Sequence, residues 1–444
     1  MSLDCEVAII GAGAAGLAAL RELDRAGCPA LCLEARRRIG GRIFTVYDPL
    51  SPLPIELGAE FVHGRPPEIW DIIQAARLTA YDCGQKAVRL QNGRVVDEDA
   101  WSTIDRVMED MCLAAQREPD LPFSEFLANS VHTEEAKRWA AGYVEGFNAA
   151  RQEIVGIHSL AADAAAADQI AGDHAFRLAD GYQALALYLL AGVAEPARKL
   201  RLNSIVESIV WRPGEASVHI RHALTGGHTI VRCRRVIITV PLGVLQAQDA
   251  IRFEPEPADA LHAARGIAVG HVVRVVLRFR EAFWEENQSL SSAGFLLSDE
   301  DVFPTWWTQL SIRAPLLIGW SAGSHADPLL GRPEAHVVSS ALDTVTRITG
   351  ADPTRTANLL EAFYFHDWHA DPFSRGAYSY VPARALPSRA ALAEPVSETL
   401  YFAGEATDLG GHSATVHGAI ATGQRAARQI LSGNGQTTEP NPRR

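Results

Sequence analysis

The feature that most constrains the fold of this sequence is a glycine-rich turn near its beginning. Residues 7–10 form a short apolar run typical of a β-strand, and residues 11–16 follow at once with the spacing G-x-G-x-x-G. Residues 14–26 are almost all helix formers, and residues 30–33 form a second apolar run. This order predicts a strand, a helix and a second parallel strand, which is how a dinucleotide-binding α/β domain begins.

Each glycine of the turn has a physical role if a dinucleotide binds there. Gly11 makes the tight turn, Gly13 lets a pyrophosphate approach the backbone, and Gly16 allows the helix to pack closely on the strand. The phosphates then meet the positive end of the helix dipole. Glu34, at the end of the second strand, would accept hydrogen bonds from a ribose and would repel a 2′-phosphate. The sequence therefore favours NAD or FAD over NADP.

Four separated motifs indicate which of the two it is. Residues 38–42 read R-I-G-G-R, and residues 56–64 read E-L-G-A-E-F-V-H-G. Near the other end, residues 401–407 read Y-F-A-G-E-A-T and residues 414–419 read A-T-V-H-G-A. In type and order these motifs resemble those of the flavin-containing amine oxidases, and the closing His-Gly of the second resembles that of the polyamine and spermine oxidases. On this resemblance the chain is identified as a member of that family.

The resemblance implies a fold class of α/β, with an FAD-binding Rossmann-like domain of the flavoprotein type, an interleaved α+β substrate domain and a helical lobe. The predicted domains are FAD-binding at 1–80, 200–265 and 385–432, and substrate-binding at 81–199 and 266–384 with the helical lobe at 100–195, followed by a disordered tail at 433–444. Residue patterns predict helices at 71–77, 101–117, 133–150, 160–171 and 180–190, and strands at 205–211, 217–220, 229–231, 235–240 and 270–279. Aromatic strands at 303–307 and 318–320 are expected in the core rather than at a cavity.

By the resemblance, FAD is the cofactor, and segments from both ends of the chain bind it. Arg42 would pair with the pyrophosphate, Glu405 would hold the ribityl chain, and Val206 would touch the adenine through its backbone. The helix that begins near Thr415 would stabilise negative charge on the reduced flavin. The implied cofactor-binding residues are Gly11, Gly13, Ala15, Gly16, Glu34, Ala35, Arg36, Gly41, Arg42, Gly58, Ala59, Glu60, Phe61, Val206, Trp368, Gly404, Glu405, Thr415 and Val416.

The resemblance also implies a substrate site beside the flavin. Trp368 would back the flavin, Tyr378 would form one aromatic wall of a substrate cage, and Thr415 stands where the opposite wall is often a second tyrosine. His63 is either a polar residue satisfied in a loop or a residue over the flavin that orients the amine or influences its protonation. Because Ala377 replaces the cysteine that binds FAD covalently in the monoamine oxidases, the FAD is expected to be non-covalent.

Two further residues need separate interpretation. Most of these oxidases carry a lysine that holds a water against flavin N5, and the matching position here is Arg274. Since a planar guanidinium is not interchangeable with an ammonium, either fast reaction of the reduced flavin with oxygen is in doubt or Arg274 holds the same water. His417, on the terminal helix, is interpreted as structural.

Composition and charge limit the setting of the protein. A net charge of -12 disfavours nucleic acid and is compatible with a cationic substrate. No run of eighteen apolar residues predicts a membrane span, and the six cysteines form no C-x-x-C pair, so a reducing cytoplasm is the simplest location. Residues 366–371 contain two His and two Asp, but their spacing does not bring them to one point, so no metal site is expected.

The predicted function is that of an FAD-dependent amine oxidase. A hydride would pass from the α-carbon of a primary or secondary amine, polyamines included, to flavin N5, giving an imine or aldehyde and, with O2, hydrogen peroxide. One group of alternatives is an L-amino acid oxidase, in which Arg274 would bind a carboxylate, or an FAD desaturase with a long apolar tunnel. The others are an amine dehydrogenase with an acceptor other than oxygen and a non-catalytic flavoprotein scaffold.

Overall fold

The computed structural model describes residues 3–91, 93–97 and 100–433. Within these ranges the α-helices are α1 (Ala14–Arg25), α2 (Pro67–Ala76), α3 (Ala100–Ala114), α4 (Phe123–Asn129), α5 (Glu134–Asn148), α6 (Ile157–Gln169), α7 (Gln183–Ala191), α8 (Pro196–Lys199), α9 (Leu242–Gln246), α10 (Ala258–Arg265), α11 (Glu334–Thr349), α12 (Pro353–Leu359), α13 (Pro387–Ala393) and α14 (Val416–Gly433). The strands are β1 (Val7–Ile10), β2 (Ala30–Leu33), β3 (Thr45–Val46), β4 (Ile55–Glu56), β5 (Val62–His63), β6 (Ala80–Asp82), β7 (Ala87–Gln91), β8 (Arg94–Asp97), β9 (Ala175–Leu178), β10 (Leu200–Arg201), β11 (Ser204–Arg212), β12 (Glu215–His222), β13 (His228–Cys233), β14 (Arg235–Ile238), β15 (Arg252–Glu254), β16 (Ala268–Val269), β17 (Val272–Phe279), β18 (Phe295–Ser298), β19 (Thr305–Trp307), β20 (Leu316–Ala322), β21 (Leu360–Phe365), β22 (Ser379–Tyr380) and β23 (Leu400–Phe402).

The first sheet is parallel and has the strand order β10-β2-β1-β14-β23. The residues of β1 and β2 are all buried, because the sheet is covered on both faces, and this is why these runs are apolar throughout instead of alternating. Helix α1 covers one face with Leu17, Leu20 and Leu23. The predicted strand, helix and strand are confirmed, and α1 ends one residue before the predicted end.

The last helix packs against the first. Ile420, Ala427 and Ile430 of α14 belong to the same apolar cluster as the leucines of α1. A side chain at position 423 would place its Cβ only 2.0 Å from the carbonyl oxygen of Ala15, so Gly423 is what allows the two helices to approach so closely. The two ends of the described chain therefore meet at the first sheet.

A second sheet, with the order β13-β12-β11-β15, packs on the other face of the first. Its strands β11, β12 and β13 confirm the three predicted runs and extend each of them by one or two residues at each end. Val218 and Val231 point into the cluster that also contains Ala8 and Ile10 of β1. The alternation of buried and half-exposed residues along β12 fits an antiparallel sheet with one covered face.

The third large sheet has seven strands in the order β21-β17-β20-β19-β18-β7-β8. Its strands β7 and β8 come from residues 87–97, whereas the others come from residues 272–365, so two distant parts of the chain are interleaved in one sheet. The predicted strand at 270–279 is observed as β17, with every residue buried. The sheet's apolar core includes Trp284 and Trp306, and α11 covers it with Val337, Ala341 and Val345.

The helical lobe is formed by α3, α4, α5 and α6 around one apolar cluster. The predicted helices of this region are confirmed with ends shifted by up to three residues. The alanine-rich segment is a packed helix, since Ile157, Leu160 and Ala166 of α6 are buried. One strand, β9, interrupts the stretch predicted to be helical, because it pairs with β5 on one side and with β6 on the other.

The fold class is confirmed as α/β, with a Rossmann-like sheet and a substrate-side sheet and lobe interleaved along the chain. The boundaries of the predicted domains stay a prediction. Helix α14 continues to Gly433, and the rest of the predicted tail lies outside the described residues. Among the helices that the structure describes, none combines the length and the apolar character needed to cross a membrane.

Candidate active site

One large cavity lies where the first sheet, the seven-stranded sheet and the helical lobe meet. Its volume is about 1910 Å³, compared with roughly 300–1,000 Å³ for a pocket that holds one small ligand. Its walls include the carboxyl ends of β1 and β2, the start of α14 and side chains of α3 and α5. The cavity therefore has room for a dinucleotide and for a second, smaller molecule.

The glycine turn forms one end of this cavity. Gly11 has a φ of +104°, and a Cβ at Gly16 would lie 1.9 Å from the Gly11 carbonyl oxygen, so neither position accepts a side chain. Gly11, Gly13 and Ala15 line the cavity, whereas Gly16 serves the packing of α1 on β1. Helix α1 begins after Gly13 without a side-chain cap, which leaves its first N–H groups for an anion.

Glu34 lies at the carboxyl end of β2, next to the glycine turn. Its side chain is buried, and its two oxygens accept hydrogen bonds from the backbone N–H groups of Ala12 and Arg36, both at 2.8 Å. A carboxylate has about four acceptor positions, so about two remain for the hydroxyl groups of a ribose. Ala35 lines the cavity beside it.

Arg36 is fixed at the cavity wall by Asp371. Its Nη2 lies 2.7 Å from Oδ2 of Asp371, and its guanidinium lies 5.4 Å from the ring centre of Phe373. Burial raises the pKa of Asp371, but a hydrogen bond from His366 and the charge of Arg36 outweigh burial and lower it. Asp371 therefore stays charged and holds Arg36, a pairing between residues 335 positions apart that the sequence patterns did not predict.

Arg42 and Glu405 form a pair at the middle of the cavity. Nη1 of Arg42 donates to Oε1 of Glu405 at 2.9 Å and to the carbonyl of Ala377 at 2.6 Å. The other oxygen of Glu405 accepts from the Ser379 hydroxyl at 2.6 Å and from the Ala414 N–H at 3.1 Å. Burial raises the pKa of Glu405, but the charge of Arg42 outweighs it and the pKa is lowered. Arg42 thus uses one of its nitrogens on Glu405, and its other N–H groups are left for a phosphate.

Arg274 belongs to a buried ionic cluster that is centred on Glu60. Oε2 of Glu60 accepts from Nη2 of Arg274 at 2.5 Å and from Nε1 of Trp307 at 3.1 Å. Its Oε1 accepts from Nε of Arg177 and, at 3.4 Å, from Nε2 of Gln309. Burial raises the pKa of Glu60, but the charges of Arg177 and Arg274 outweigh it and lower the pKa to about 2. The cluster therefore holds one negative and two positive charges.

The Glu60 cluster changes what two predicted site residues can do. Four donors fill the acceptor positions of the Glu60 carboxylate, so its side chain has none left for a cofactor, and any such contact would come from its backbone. Arg274 also donates to the Gly58 carbonyl at 3.2 Å, while its buried Nε has no partner among the described residues. Arg177 and Trp307 were not predicted as site residues. The one signal for Arg177 is a lone arginine inside an otherwise apolar strand, since all four residues of β9 are buried.

Trp368 and Tyr378 line the same cavity from one side. The indole N–H of Trp368 donates to the Leu57 carbonyl at 2.8 Å, which fixes this buried ring behind the glycine-alanine segment. The hydroxyl of Tyr378 donates to the Phe147 carbonyl at 2.8 Å, so the ring is tied to the end of α5. Ala377, the residue just before Tyr378, also lines the cavity.

The start of α14 forms the opposite side of the cavity. Thr415 caps this helix, since its hydroxyl oxygen accepts from the Gly418 N–H at 3.0 Å and donates to the His412 carbonyl at 2.6 Å. Thr415 and Val416 both line the cavity, so the positive end of the helix dipole faces it.

Two histidines face the cavity with neutral imidazoles. His63 lies on β5 against the rings of Phe61 and Phe147, and burial lowers its pKa to about 4. His417 is buried in the first turn of α14, and burial together with the nearby His412 and His63 lowers its pKa to about 3. Nε2 of His417 has no hydrogen-bond partner among the described residues although it is buried. An orphaned polar atom at a cavity wall is the sign of a missing ligand, so His417 joins the candidate site although its sequence position was interpreted as structural.

The remaining predicted site residues also meet at this cavity. Those that line it are Gly41, Gly58, Ala59, Phe61, Val206 and Gly404. Val206 precedes a β-bulge in β11, which turns this part of the strand toward the cavity. Of the aromatic residues predicted for the core, Phe303 and Trp306 are fully buried there, but Trp307 and Trp320 line the cavity. Within the described ranges, no group of three or more His, Cys, Asp or Glu side chains is arranged to hold a metal ion.

The fold and the cavity together define a dinucleotide-binding flavoprotein of the Rossmann type, with a separate compartment for a substrate. The family model for flavin containing amine oxidoreductases matches residues 14–138 and 113–431. The chain belongs to this family of flavin-containing amine oxidoreductases, and its cofactor is FAD.

Known proteins agree with this assignment. The chain is 26% identical to lysine-specific histone demethylase 1 homolog 3 of Arabidopsis thaliana over 98% of its own length, but it spans only 30% of that protein. It is 26% identical to probable polyamine oxidase 4 of the same plant, over 95% of this chain and 86% of the other. The structure of wild-type putrescine oxidase bound to putrescine has the same fold, with a TM-score of 0.80 at 20% identity over 96% of this chain and 99% of that one.

The residues present fit the flavin dinucleotide on three counts. The uncapped start of α1 offers N–H groups for the phosphates, and Glu34 has open acceptor positions for a ribose. The third point is the start of α14, which Thr415 caps and which faces the same cavity together with the unpartnered nitrogen of His417. These residues are therefore the ones that would hold the cofactor.

Proposed function

We propose that this chain is an FAD-dependent amine oxidase that oxidises the carbon next to nitrogen in a primary or secondary amine. FAD, when bound, accepts a hydride from that carbon. For a primary amine, the amine, O2 and water would become an aldehyde, ammonia and hydrogen peroxide. The observation that carries the proposal is a single cavity that joins an uncapped helix start to a compartment of aromatic rings and a neutral histidine.

The chain's own residues would bind the amine, orient it and exclude water from around it. An amine gives up a hydride as the neutral form, so the ammonium must lose a proton on entry. His63 is too weak a base to take that proton, but because burial keeps its imidazole neutral above its pKa of about 4, it can accept a hydrogen bond from the amine and orient it. Tyr378, held through its hydroxyl by the Phe147 carbonyl, gives the amine an ordered aromatic wall.

The names of the similar proteins support the amine class of substrate. They are a histone lysine demethylase homologue, a polyamine oxidase and a putrescine oxidase, and the last two names state an amine as the substrate. An L-amino acid oxidase is less well supported, because Arg274 is already bound through two of its nitrogens to Glu60 and to the Gly58 carbonyl.

A second candidate function differs in how the reduced flavin is reoxidised. It is an amine dehydrogenase, which passes the electrons to an acceptor other than O2. The observation that favours it is the same commitment of Arg274 to Glu60, which leaves its guanidinium little freedom to hold a water in the cavity. Reduced enzyme should be mixed with O2 and, separately, with a quinone dye. Reoxidation by the dye that is far faster than by O2 would establish the dehydrogenase, and fast reoxidation by O2 would establish the oxidase.

The amine half-reaction is tested by mixing the yellow protein with a broad panel of amines in the absence of oxygen. We expect at least one amine to bleach the flavin absorbance within seconds, and an L-amino acid panel to leave it unchanged. Bleaching by amino acids alone, or by nothing in either panel, would contradict the proposal.

Non-covalent attachment of FAD and a cytoplasmic location complete the proposal. Ala377 supplies no thiol next to Tyr378, so acid precipitation should release the flavin into the supernatant. Flavin that stays with the pellet would show a covalent bond elsewhere. All six cysteines are free in the structure, which suits a reducing compartment, and fractionation of the source cells would check this. We also retain the predicted division into an FAD domain and a substrate domain, which limited proteolysis would test.

A further inference from the structure

Six aromatic side chains form a closed ring around part of the cavity, which we call the aromatic sleeve. Its members, in order around the ring, are Phe61, His63, Phe147, Tyr143, Trp101 and Phe295. The distances between successive ring centres, starting with the pair Phe61 and His63 and returning to Phe61, are 5.8, 5.5, 5.5, 6.1, 6.1 and 6.2 Å. All six side chains line the cavity.

The size of the sleeve suits one flat ring. The neighbour distances set the scale of the sleeve: in a regular hexagon with sides of about 6 Å, the centre lies about 6 Å from every corner. A guest ring at the centre would therefore lie within the roughly 4.5–7 Å at which aromatic rings attract one another. Such a guest ring could contact several of the six sleeve side chains at once.

One end of the sleeve leads to the flavin side of the cavity. Phe147 is both a sleeve member and, through its carbonyl, the hydrogen-bond partner of Tyr378. His63 lies in the sleeve next to Phe147, and burial keeps it neutral. A nitrogen that reaches past these two residues enters the compartment of Tyr378.

The other end of the sleeve leads to a buried arginine. In the seven-stranded sheet Phe295 pairs with Ala87 and Leu297 pairs with Arg89, so Arg89 lies on the same face two residues farther along. This is about 7 Å beyond the sleeve at 3.3 Å per residue. Arg89 is buried, its Nη1 lies 2.9 Å from Oδ1 of Asp299, and its guanidinium stacks at 4.1 Å on Trp139.

The charges around the sleeve disfavour a second ammonium inside it. No sleeve member carries a carboxylate. The negative charge of Glu60, behind Phe61, is smaller than the two positive charges of its partners Arg177 and Arg274. The guanidinium of Arg177 already lies 4.7 Å from the Phe61 ring centre. The Phe61 ring therefore already makes a cation–π contact and attracts a second cation less.

The carboxylates at the outer part of the cavity do not change this balance. Several carboxylates line it but are exposed, and water and salt screen exposed charges strongly: Asp105, Glu109, Asp168, Asp173 and Asp301. Asp163 also lines it and is paired with Arg389. Asp299 is already paired with Arg89.

We propose that the aromatic sleeve determines specificity: it takes the aromatic body of a monoamine, and Arg89 beyond it excludes a second ammonium. This inference rests on the proposed amine oxidation and specifies its substrate. Linear diamines and polyamines are then poor substrates of this chain. Arylalkyl monoamines, whose ring fills the sleeve while the nitrogen reaches the Tyr378 compartment, are good ones.

The test compares two amines of similar length, 3-phenylpropylamine and 1,6-diaminohexane, by stopped-flow flavin reduction of the holoenzyme without oxygen. For the wild-type protein the ratio of the reduction rate constant to Kd should be at least tenfold higher for the arylalkylamine. Phe295→Leu should lower that advantage at least fivefold, mainly through Kd. The matched control is Phe126→Leu, a buried lobe residue outside the cavity, which should leave the ratio unchanged.

The charge argument has its own pair of variants. Arg89→Gln removes the cation and should raise the efficiency with the diamine at least fivefold, while Asp299→Asn leaves the cation without its partner and should lower it. Asp299 is 40% exposed, so Asp299→Asn keeps the test available if the arginine variant does not fold.

Wild-type preference for the diamine, or an equal loss with both amines in Phe295→Leu, would overturn the sleeve proposal while the amine oxidation stands. A flavin that no amine reduces would overturn the proposed function itself, and the sleeve proposal with it.

Discussion

The two ends of the cavity are built in different ways. The nucleotide end consists of short contiguous segments, and its contacts are mostly backbone groups, as at the turn of Gly11–Gly16 and the start of α1. The amine end consists of single side chains from strands and helices far apart in the chain, as in the Glu60 cluster and the aromatic sleeve. Backbone contacts tie the nucleotide end to a fixed sequence pattern, whereas side-chain contacts leave the amine end free to change its specificity.

The largest expected effect is at the nucleotide end. In Gly16→Val the new Cβ would lie 1.9 Å from the Gly11 carbonyl oxygen, so the turn must move and the phosphate site is lost. We expect the purified variant to carry less than about a tenth of the wild-type flavin, measured by the ratio of absorbance at 450 nm to that at 280 nm. Gly227→Ala, in an exposed hairpin with space for a methyl group, should keep its flavin. A yellow Gly16→Val protein would show that the turn is not needed for binding.

At the amine end, the largest effect should come from the buried ionic cluster. Glu60→Gln removes the one negative charge between Arg177 and Arg274 and leaves both guanidinium groups buried without a counter-charge. We expect the free energy of unfolding to fall by about 3–5 kcal/mol, measured by urea denaturation. The control Glu215→Gln breaks an exposed pair with Arg212, which solvent screens, and should leave the free energy of unfolding nearly unchanged. Equal losses in the two variants would show that the cluster contributes no more than a surface pair.

The pH dependence of stability should reveal the neutral histidine of the sleeve. Burial lowers the pKa of folded His63 to about 4, below its unfolded value near 6.5, so the unfolded state binds the proton first. His63 therefore contributes stability that is present above pH 6.5 and is lost as the pH falls toward 4. In His63→Gln the Tm should fall less steeply over this window than in the wild type. His174→Gln changes an exposed site, and its Tm should depend on pH as in the wild type. If the Tm of His63→Gln also falls as steeply as that of the wild type, His63 is not held neutral by the fold.

The smallest expected effect is at the junction of the two ends, where Thr415 caps α14. Thr415→Ala removes the hydroxyl that accepts from the Gly418 N–H, which should cost about 1 kcal/mol of unfolding free energy. Thr415→Ser keeps the hydroxyl and should restore most of that loss. If both variants lose the same unfolding free energy relative to the wild type, the methyl group of Thr415 rather than its hydroxyl is what stabilises the helix start.

The same contrast explains how much could be predicted from sequence. The first strand, helix and strand were predictable because apolar runs, glycine spacing and helix formers are local signals. Most of the predicted site residues that line the cavity belong to the glycine turn with the segment after Glu34, or to one of the four motifs at 38–42, 56–64, 401–407 and 414–419. The partners of Glu60 were not predictable, because Arg177 and Arg274 lie 117 and 214 positions away and no local pattern links them. Strand β9 was missed for a related reason, since its neighbours β5 and β6 lie about a hundred residues earlier.

The packing of α14 on α1 has a consequence for biosynthesis. The ribosome makes α14 long after its packing partner α1, because most of the described chain lies between the two helices. A growing chain therefore displays its glycine turn long before the opposite wall exists. Stable loading of the cofactor must therefore wait until α14 has been made, because both the glycine turn and the start of α14 line the cavity.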